Sequence, residues 1–138
     1  MIAGFEGFRA SEYLDAAGNR TIGYGHRILG GEQFGGPMTK DAGLDLLRRD
    51  LGERVQSGLD AVTVDLSQNQ VDALGSFIFN VGAGAFGNSS LLRGLNQGNY
   101  QGVPSELGRW NRAGGQVRSE LTQRRGAESR VWSLGIYP

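Results

Sequence analysis

The sequence predicts an α+β chain, with a small β element near the N-terminus followed by helices. Three observations carry this. Residues 13–26 interleave β-branched and aromatic residues with glycine, as in Thr21-Ile22-Gly23-Tyr24-Gly25. Apolar residues then recur at helical spacing along 39–61 and again along 67–81. Glycine and asparagine clusters punctuate the remainder, and the 24 glycines follow no collagen-like period, so they read as turns and helix ends.

Taken in order, Ile2 to Ala10 is expected as a short helix, with Phe5 and Phe8 on one side and Glu6 in its C-terminal half. Tyr13 to His26 reads as an irregular hairpin or small sheet around the turn signal at 16–19, and 30–37 as a loop. Thr39 is the expected N-cap of one long helix reaching about residue 61. Leu44, Leu47 and Leu51 would share a face of it, and Asp45 would pair with Arg49. Gly52 and Gly58 weaken it by about 1 kcal/mol each relative to alanine. Ser67 or Asp65 caps the next helix, whose buried stripe carries Val71, Leu74, Phe77 and Ile78 and which Gly82 ends. Residues 82–88 form a glycine-rich connection. Asn88 or Ser89 opens a short helix to Leu95, another covers Tyr100 to Trp110, and 111–117 is a loop. Ser119 caps a last helix in which Arg124 and Glu128 are partners one turn apart. No internal repeat and no linker divides the chain.

Length and composition narrow the chemistry. A chain of 138 residues suffices for one domain with a proper core. The absence of cysteine excludes disulfides, thiolate catalysis and cysteine–zinc sites, and a single histidine argues against any zinc site. No apolar run approaches the roughly 18 residues that would span a membrane. No basic segment with an apolar stretch precedes Glu6, so no export signal is expected. Net charge is zero but uneven: residues 1–72 hold 7 Lys+Arg against 11 Asp+Glu, and residues 73–138 hold 7 against 3. A basic half attracts an anionic polymer, nucleic acid or cell wall; a solvated surface with accidental asymmetry explains it as well. No nucleic-acid-binding motif accompanies the charge, so nucleic acid is not the expected partner.

The most informative residues are Glu6, Asp15 nine positions on, and Thr21 six after that. Two carboxyls and a hydroxyl around a glycine-rich turn suit the hydrolysis of a glycosidic bond. One carboxyl must be protonated to donate to the leaving oxygen, the other ionised to activate or hold water. Phe5, Phe8 and the apolar underside of the hairpin can desolvate Glu6 and keep its proton on at neutral pH. From the residues alone, a surface glutamate, a turn-capping aspartate and a strand threonine explain the same letters. His26 is either an acid–base group or a structural residue. Gly23 and Gly25 let the backbone approach a bulky polymer, or serve packing under Tyr24. Residues 82–87 fit neither a dinucleotide loop nor a P-loop, and no GxSxG elbow supports a serine triad.

At EGFRASEYLDAAGNRTIGYGH, residues 6–26, the chain closely resembles the phage-type lysozymes, endolysins of glycoside hydrolase family 24. Their active-site stretch carries Glu-Gly-x-Arg, Tyr-x-Asp and Thr-Ile-Gly-Tyr-Gly-His at this spacing. SFIFNVGAGAF at 76–86, SSLLRGLNQGNY at 89–100, RWNRAGGQV at 109–117 and LTQRR at 121–125 resemble later family blocks, so the likeness covers nearly the whole chain. It implies a lysozyme-like fold over residues 1–138 as one catalytic domain. A small hairpin lobe, about residues 11–38, would be joined by a long helix to a larger helical lobe, with a cleft between. It implies a peptidoglycan-degrading muramidase that splits the β-1,4 bond between N-acetylmuramic acid and N-acetylglucosamine by inversion and lyses bacteria, with no cofactor and no metal. Glu6 would be the acid, Asp15 the base or charge stabiliser, and Thr21 the holder of water. The two carboxyls would stand roughly 6.5–9.5 Å apart. Phe79 and Ser89 would lie near substrate, and His26 would be mainly structural, paired with a carboxylate, with direct contact to substrate as the alternative. A monomer made in the host cytoplasm and acting at the cell wall is expected. Two departures stand out: only five residues precede Glu6, where the family has a longer helix, and Glu120 stands where glycine is common. A lytic transglycosylase, which uses the substrate's own hydroxyl in place of water, and a non-catalytic wall-binding module of a phage assembly are the alternatives.

Overall fold

The computed structural model describes residues 1–15 and 17–138, so the first position of the 16–19 turn signal lies outside the described residues. After a short first helix comes a small sheet, followed by a run of helices interrupted by one hairpin, as expected of an α+β chain. The chain forms two compact units, Met1–Gly52 and Glu53–Pro138.

In the first unit, helix α1 (Ile2–Glu6) stops one turn earlier than its sequence suggests. Gly7 adopts φ 67°, which an L side chain resists, and its N–H closes the helix on the Ala3 carbonyl. The residues expected to prolong the helix are extended instead, because pairing recruits them. Strands β1 (Arg9–Leu14), β2 (Arg20–Gly23) and β3 (His26–Arg27) form an antiparallel sheet in sequence order. Its register sets Arg9 opposite Gly23, Tyr13 opposite Thr21, and Thr21 opposite Arg27, with an irregularity between Arg9 and Tyr13. Phe5 and Phe8 therefore share no helix face. Phe8 packs on Tyr24, ring centroids 5.3 Å apart, and closes on Gly43, where a Cβ would come within 2.9 Å of the ring.

Helix α2 (Lys40–Asp50) begins at Thr39, whose hydroxyl accepts the Ala42 N–H at 3.1 Å. The helical path continues through a π turn at Leu51–Val55 into α3 (Gln56–Leu59), so the single long helix expected over 39–61 is wound more loosely around Gly52. Its inward face is Gly43, Leu46, Leu47 and Asp50, not Leu44, Leu47 and Leu51. Close approach to Phe8 requires Gly43 inside, and pairing with His26 brings Asp50 in. Asp45 pairs with Arg48 at 2.7 Å, and Arg49 lies 3.5 Å from Glu32, so the expected Asp45–Arg49 pair is replaced.

In the second unit, α4 (Gln68–Val81) is buried on every side from Ala73 to Phe79, more than the one stripe expected, because several helices surround it. The Gln70 side chain accepts the Ser67 N–H at 2.9 Å at its start, and Gly82, φ 94°, ends it. The connection expected at 82–88 is partly helical, α5 (Ala83–Gly87), since Phe86 buries its ring edge-on to Phe77. Helix α6 (Ser90–Asn96) follows, capped by Ser89. Helix α7 (Val103–Gly108) is shorter than the expected 100–110, starting with Pro104 in its first turn. Residues 111–117 form a hairpin rather than a loop, β4 (Arg112–Ala113) with β5 (Gln116–Val117). Gly114 and Gly115 at φ 59° and 78° supply the left-handed turn that a tight hairpin needs. Arg118, not Ser119, is the N-cap of α8 (Ser119–Leu134).

α8 carries a buried ionic cluster. The Arg124–Glu128 pair is present at 3.5 Å, but Arg125 is closer, 2.7 Å from the same carboxylate, and all three side chains are buried. The Ser76 hydroxyl donates to Glu128, and Arg125 donates to Asn80 while lying over the Phe77 ring. Burial pushes the Glu128 carboxyl up, opposed by the two guanidiniums and the Ser76 hydroxyl. No helix among the described residues is long and apolar enough to cross a membrane.

Two glycines should respond oppositely to alanine. A Cβ at buried Gly58 would meet Ile78 Cγ2, itself fully buried, at 2.8 Å. The overpacking cost of about 1–3 kcal/mol outweighs the helix-propensity gain of about 1 kcal/mol. At Gly126 in α8 the nearest atom would be 3.8 Å away. Urea unfolding should find Gly58→Ala less stable than the parent and Gly126→Ala more stable by about 0.5–1 kcal/mol.

Candidate active site

The first unit's sheet holds Glu6, Asp15 and Thr21 on one scaffold. Glu6 is the last residue of α1, and its carboxylate rests against Gly25 in the β2–β3 turn. A Cβ at Gly25 would sit 2.7 Å from Oε2 and 3.0 Å from Cδ. Gly25 also has φ 72°, a conformation that L side chains resist, so the backbone favours glycine there. Asp15 lies at the other end of the sheet, just beyond β1. Its Oδ1 accepts the Ala17 and Asn19 N–H groups at 2.9 and 2.8 Å, and Oδ2 accepts the Asn19 amide at 3.3 Å. Burial pushes this carboxyl up, but those donors and the Arg27 charge outweigh it and hold Asp15 below the usual carboxylate range. Thr21 lies between the two ends, 2% exposed, its hydroxyl donating to the Asn19 carbonyl at 2.8 Å.

His26 is buried beside this row, between two carboxylates. Asp50 oxygens stand 2.9 and 3.0 Å from Nδ1, and Glu32 oxygens 3.0 and 3.2 Å from Nε2. A ring protonated on both nitrogens donates to both carboxylates at once. The carboxylates lie on opposite edges of the ring and do not converge on a point where an ion would sit. Glu32 also accepts the Leu29 N–H at 2.7 Å, and these donors with the Arg49 charge keep its carboxyl below the usual range. Phe34 meets the His26 ring edge-on, so the 30–37 loop is fastened to the histidine. Beside it is an open depression of about 470 Å³, with Phe34, Met38 and Leu46 in its lining and Arg49 at its rim.

Phe79 and Ser89 belong to the second unit. Phe79 is 2% exposed under the Arg54 guanidinium, which lies 4.3 Å from its ring centroid. The Ser89 hydroxyl donates to the Phe86 carbonyl at 2.6 Å and caps α6 by accepting the Leu92 N–H at 3.1 Å. Both residues thus have structural roles. The same holds for Trp110, edge-on to Phe77, and for Asn111, whose amide donates to Thr122. Sequence reasoning left unnamed the two carboxylates that hold His26. Asp50 carried a signal, an acidic residue one turn beyond the apolar Leu46 and Leu47. Glu32, in a glycine-rich loop, carried none.

A small antiparallel sheet bearing this glutamate–aspartate–threonine set, followed by helices, defines the lysozyme-like α+β class. The chain belongs to the phage lysozyme family, whose pattern it matches over residues 3–128. It is 37% identical to the endolysin of Bacillus phage B103 over 98% of its length and 52% of that protein. It is 40% identical to the endolysin of Salmonella phage P22, covering 87% of this chain and 84% of that one. The chain spans about half the length of the Bacillus phage endolysins it matches. Among solved structures, the endolysin from Escherichia coli O157:H7 phage FAHEc1 superposes with a TM-score of 0.86 at 31% identity, over 99% of this chain and 90% of that one. The muramidase domain of SpmX from Asticaccaulis excentricus superposes with a TM-score of 0.83 at 35% identity, over 96% and 91%.

The depressed carboxyls give a pH prediction. Asp15 and Glu32 hold protons less tightly folded than unfolded, so their stabilisation is present above the ordinary range near pH 4 and is lost as pH falls through the folded values. Carbon-detected NMR titration should find both midpoints below those of the urea-unfolded chain. Melting temperature should drop between about pH 4 and pH 2.

Proposed function

We propose that the chain is a muramidase that hydrolyses the β-1,4 bond between N-acetylmuramic acid and N-acetylglucosamine in peptidoglycan, at the bacterial cell wall, as one catalytic domain without a cofactor. The observation that carries this is the Glu6 carboxylate lodged against Gly25 at one end of a sheet whose other end keeps Asp15 ionised. Two carboxyls in different environments are what acid–base cleavage of a glycoside requires.

Glu6 donates its proton to the leaving oxygen. Asp15 takes a proton from water, or steadies positive charge at the sugar carbon, using Oδ2, since Oδ1 already holds two backbone donors. Thr21 has spent its hydrogen on the Asn19 carbonyl, so its oxygen serves the water as an acceptor. Water on the face opposite the leaving group inverts the anomeric centre. His26, clamped by Asp50 and Glu32, keeps the β3 end of the sheet in place.

Digestion of purified peptidoglycan with product analysis tests the reading. New reducing ends formed first as the inverted anomer are expected, and Glu6→Gln should lower turnover by about 10²–10⁴-fold with the fold intact. Anhydro-muramic ends would replace hydrolysis by transglycosylation, and wall binding with no cleavage would remove the enzymatic reading.

A further inference from the structure

The water site of the proposed hydrolysis, on which this inference rests, is rich in acceptors and lacks a donor. Asp15 is an ionised acceptor, and Thr21 has used its only hydrogen on Asn19. A water giving one hydrogen to each presents its lone pairs elsewhere. One must face the sugar carbon; the other needs a donor if the molecule is to be held in a single orientation.

Tyr13 has the position for this. It is the cross-strand partner of Thr21, so the two side chains stand on the same face of the sheet, about 4.5–5.5 Å apart at Cβ. It precedes Asp15 by two residues, the spacing that returns a strand to the same face. Along the sheet it lies between the turn where Glu6 meets Gly25 and the turn that Asp15 opens. Its ring is fixed by Arg9, whose guanidinium sits 4.8 Å from the ring centroid. In a regular strand, residues four apart are about 13 Å from one another. The irregularity between Arg9 and Tyr13 shortens that reach. No described residue hydrogen-bonds the Tyr13 hydroxyl, so its hydrogen is available.

We propose that Tyr13, clamped by Arg9, is a further catalytic residue whose hydroxyl donates a hydrogen bond to the attacking water. The proton inventory stays balanced: water oxygen bonds to the sugar carbon, the glycosidic bond breaks toward an oxygen that takes the Glu6 proton, and the water proton passes to Asp15. Tyr13 transfers nothing. Burial and the Asp15 charge push its phenol up against the pull of Arg9, so it remains an O–H donor where Asp15 is ionised.

The test measures kcat and KM separately on soluble peptidoglycan fragments for wild type, Tyr13→Phe and Arg9→Met, with circular dichroism and melting temperature as fold controls. Tyr13→Phe should lose about tenfold or more in kcat, the worth of one hydrogen bond made to the reacting water, with KM and melting temperature unchanged. Arg9→Met should lose less, in the same parameter. Wild-type kcat in Tyr13→Phe, or a loss confined to KM, overturns the assignment while leaving the muramidase reading intact. No reducing ends from wild type overturns both. If Tyr13→Phe does not fold, Arg9→Met decides, and an unchanged kcat there sinks the proposal.

Discussion

The site depends on a missing side chain. At Gly25 the backbone turns into a conformation that L residues resist, and the space a Cβ would fill holds the Glu6 carboxylate. Glu6 ends a five-residue helix with no buried residue, too short to place anything by itself. It is the turn between β2 and β3 that gives the carboxylate a fixed neighbour. The pairing of β1 with β2 then sets how far that neighbour stands from Thr21 and from the Asp15 turn. A one-residue slip would send Tyr13 and Thr21 to opposite faces. Hydrogen bonding from Asn19 to Asp15, and from Asp15 back to the Asn19 carbonyl, fixes that register at the far end.

Two buried polar clusters do for position what they do little for net stability. Desolvation offsets most of the attraction between buried charges, so neither cluster need stabilise its unit more than apolar packing would. His26 joins three segments: its own strand, α2 through Asp50, and the 30–37 loop through Glu32. Removing either carboxylate would leave a buried ring nitrogen to find another partner. In the second unit, Glu128 joins α8 to α4 through Ser76, with Arg124 and Arg125 beside it. A leucine at 128 would remove the carboxylate that both buried guanidiniums face, which is the costly case.

Local chemistry was legible wherever a residue acts on its own backbone. Thr39 and Ser89 cap their helices, the Ser67–Gln70 pair starts α4, and Gly82 stops it. Misreadings cluster where a distant partner overrides local preference. Arg9 and Ala10 read as helix and became strand, because β2 offered an edge and Gly7 broke the turn. The segment from Ala83 to Gly87 read as loop and became helix around the buried Phe86. The inward face of α2 shifted from its leucine stripe to Gly43 and Asp50, for an aromatic ring and a histidine that lie elsewhere in the chain.

The sequence by itself determined the α+β order and the spacing of Glu6, Asp15 and Thr21. Hydrophobic period, caps and breakers are local codes, and the family's motif is written in consecutive residues. Only the tertiary structure decided which carboxylates hold His26, that the Thr21 hydrogen is already committed, and that Tyr13 stands across from it with Arg9 on its ring. Those facts are distances between residues separated along the chain, and no run of letters encodes a distance until strands have paired.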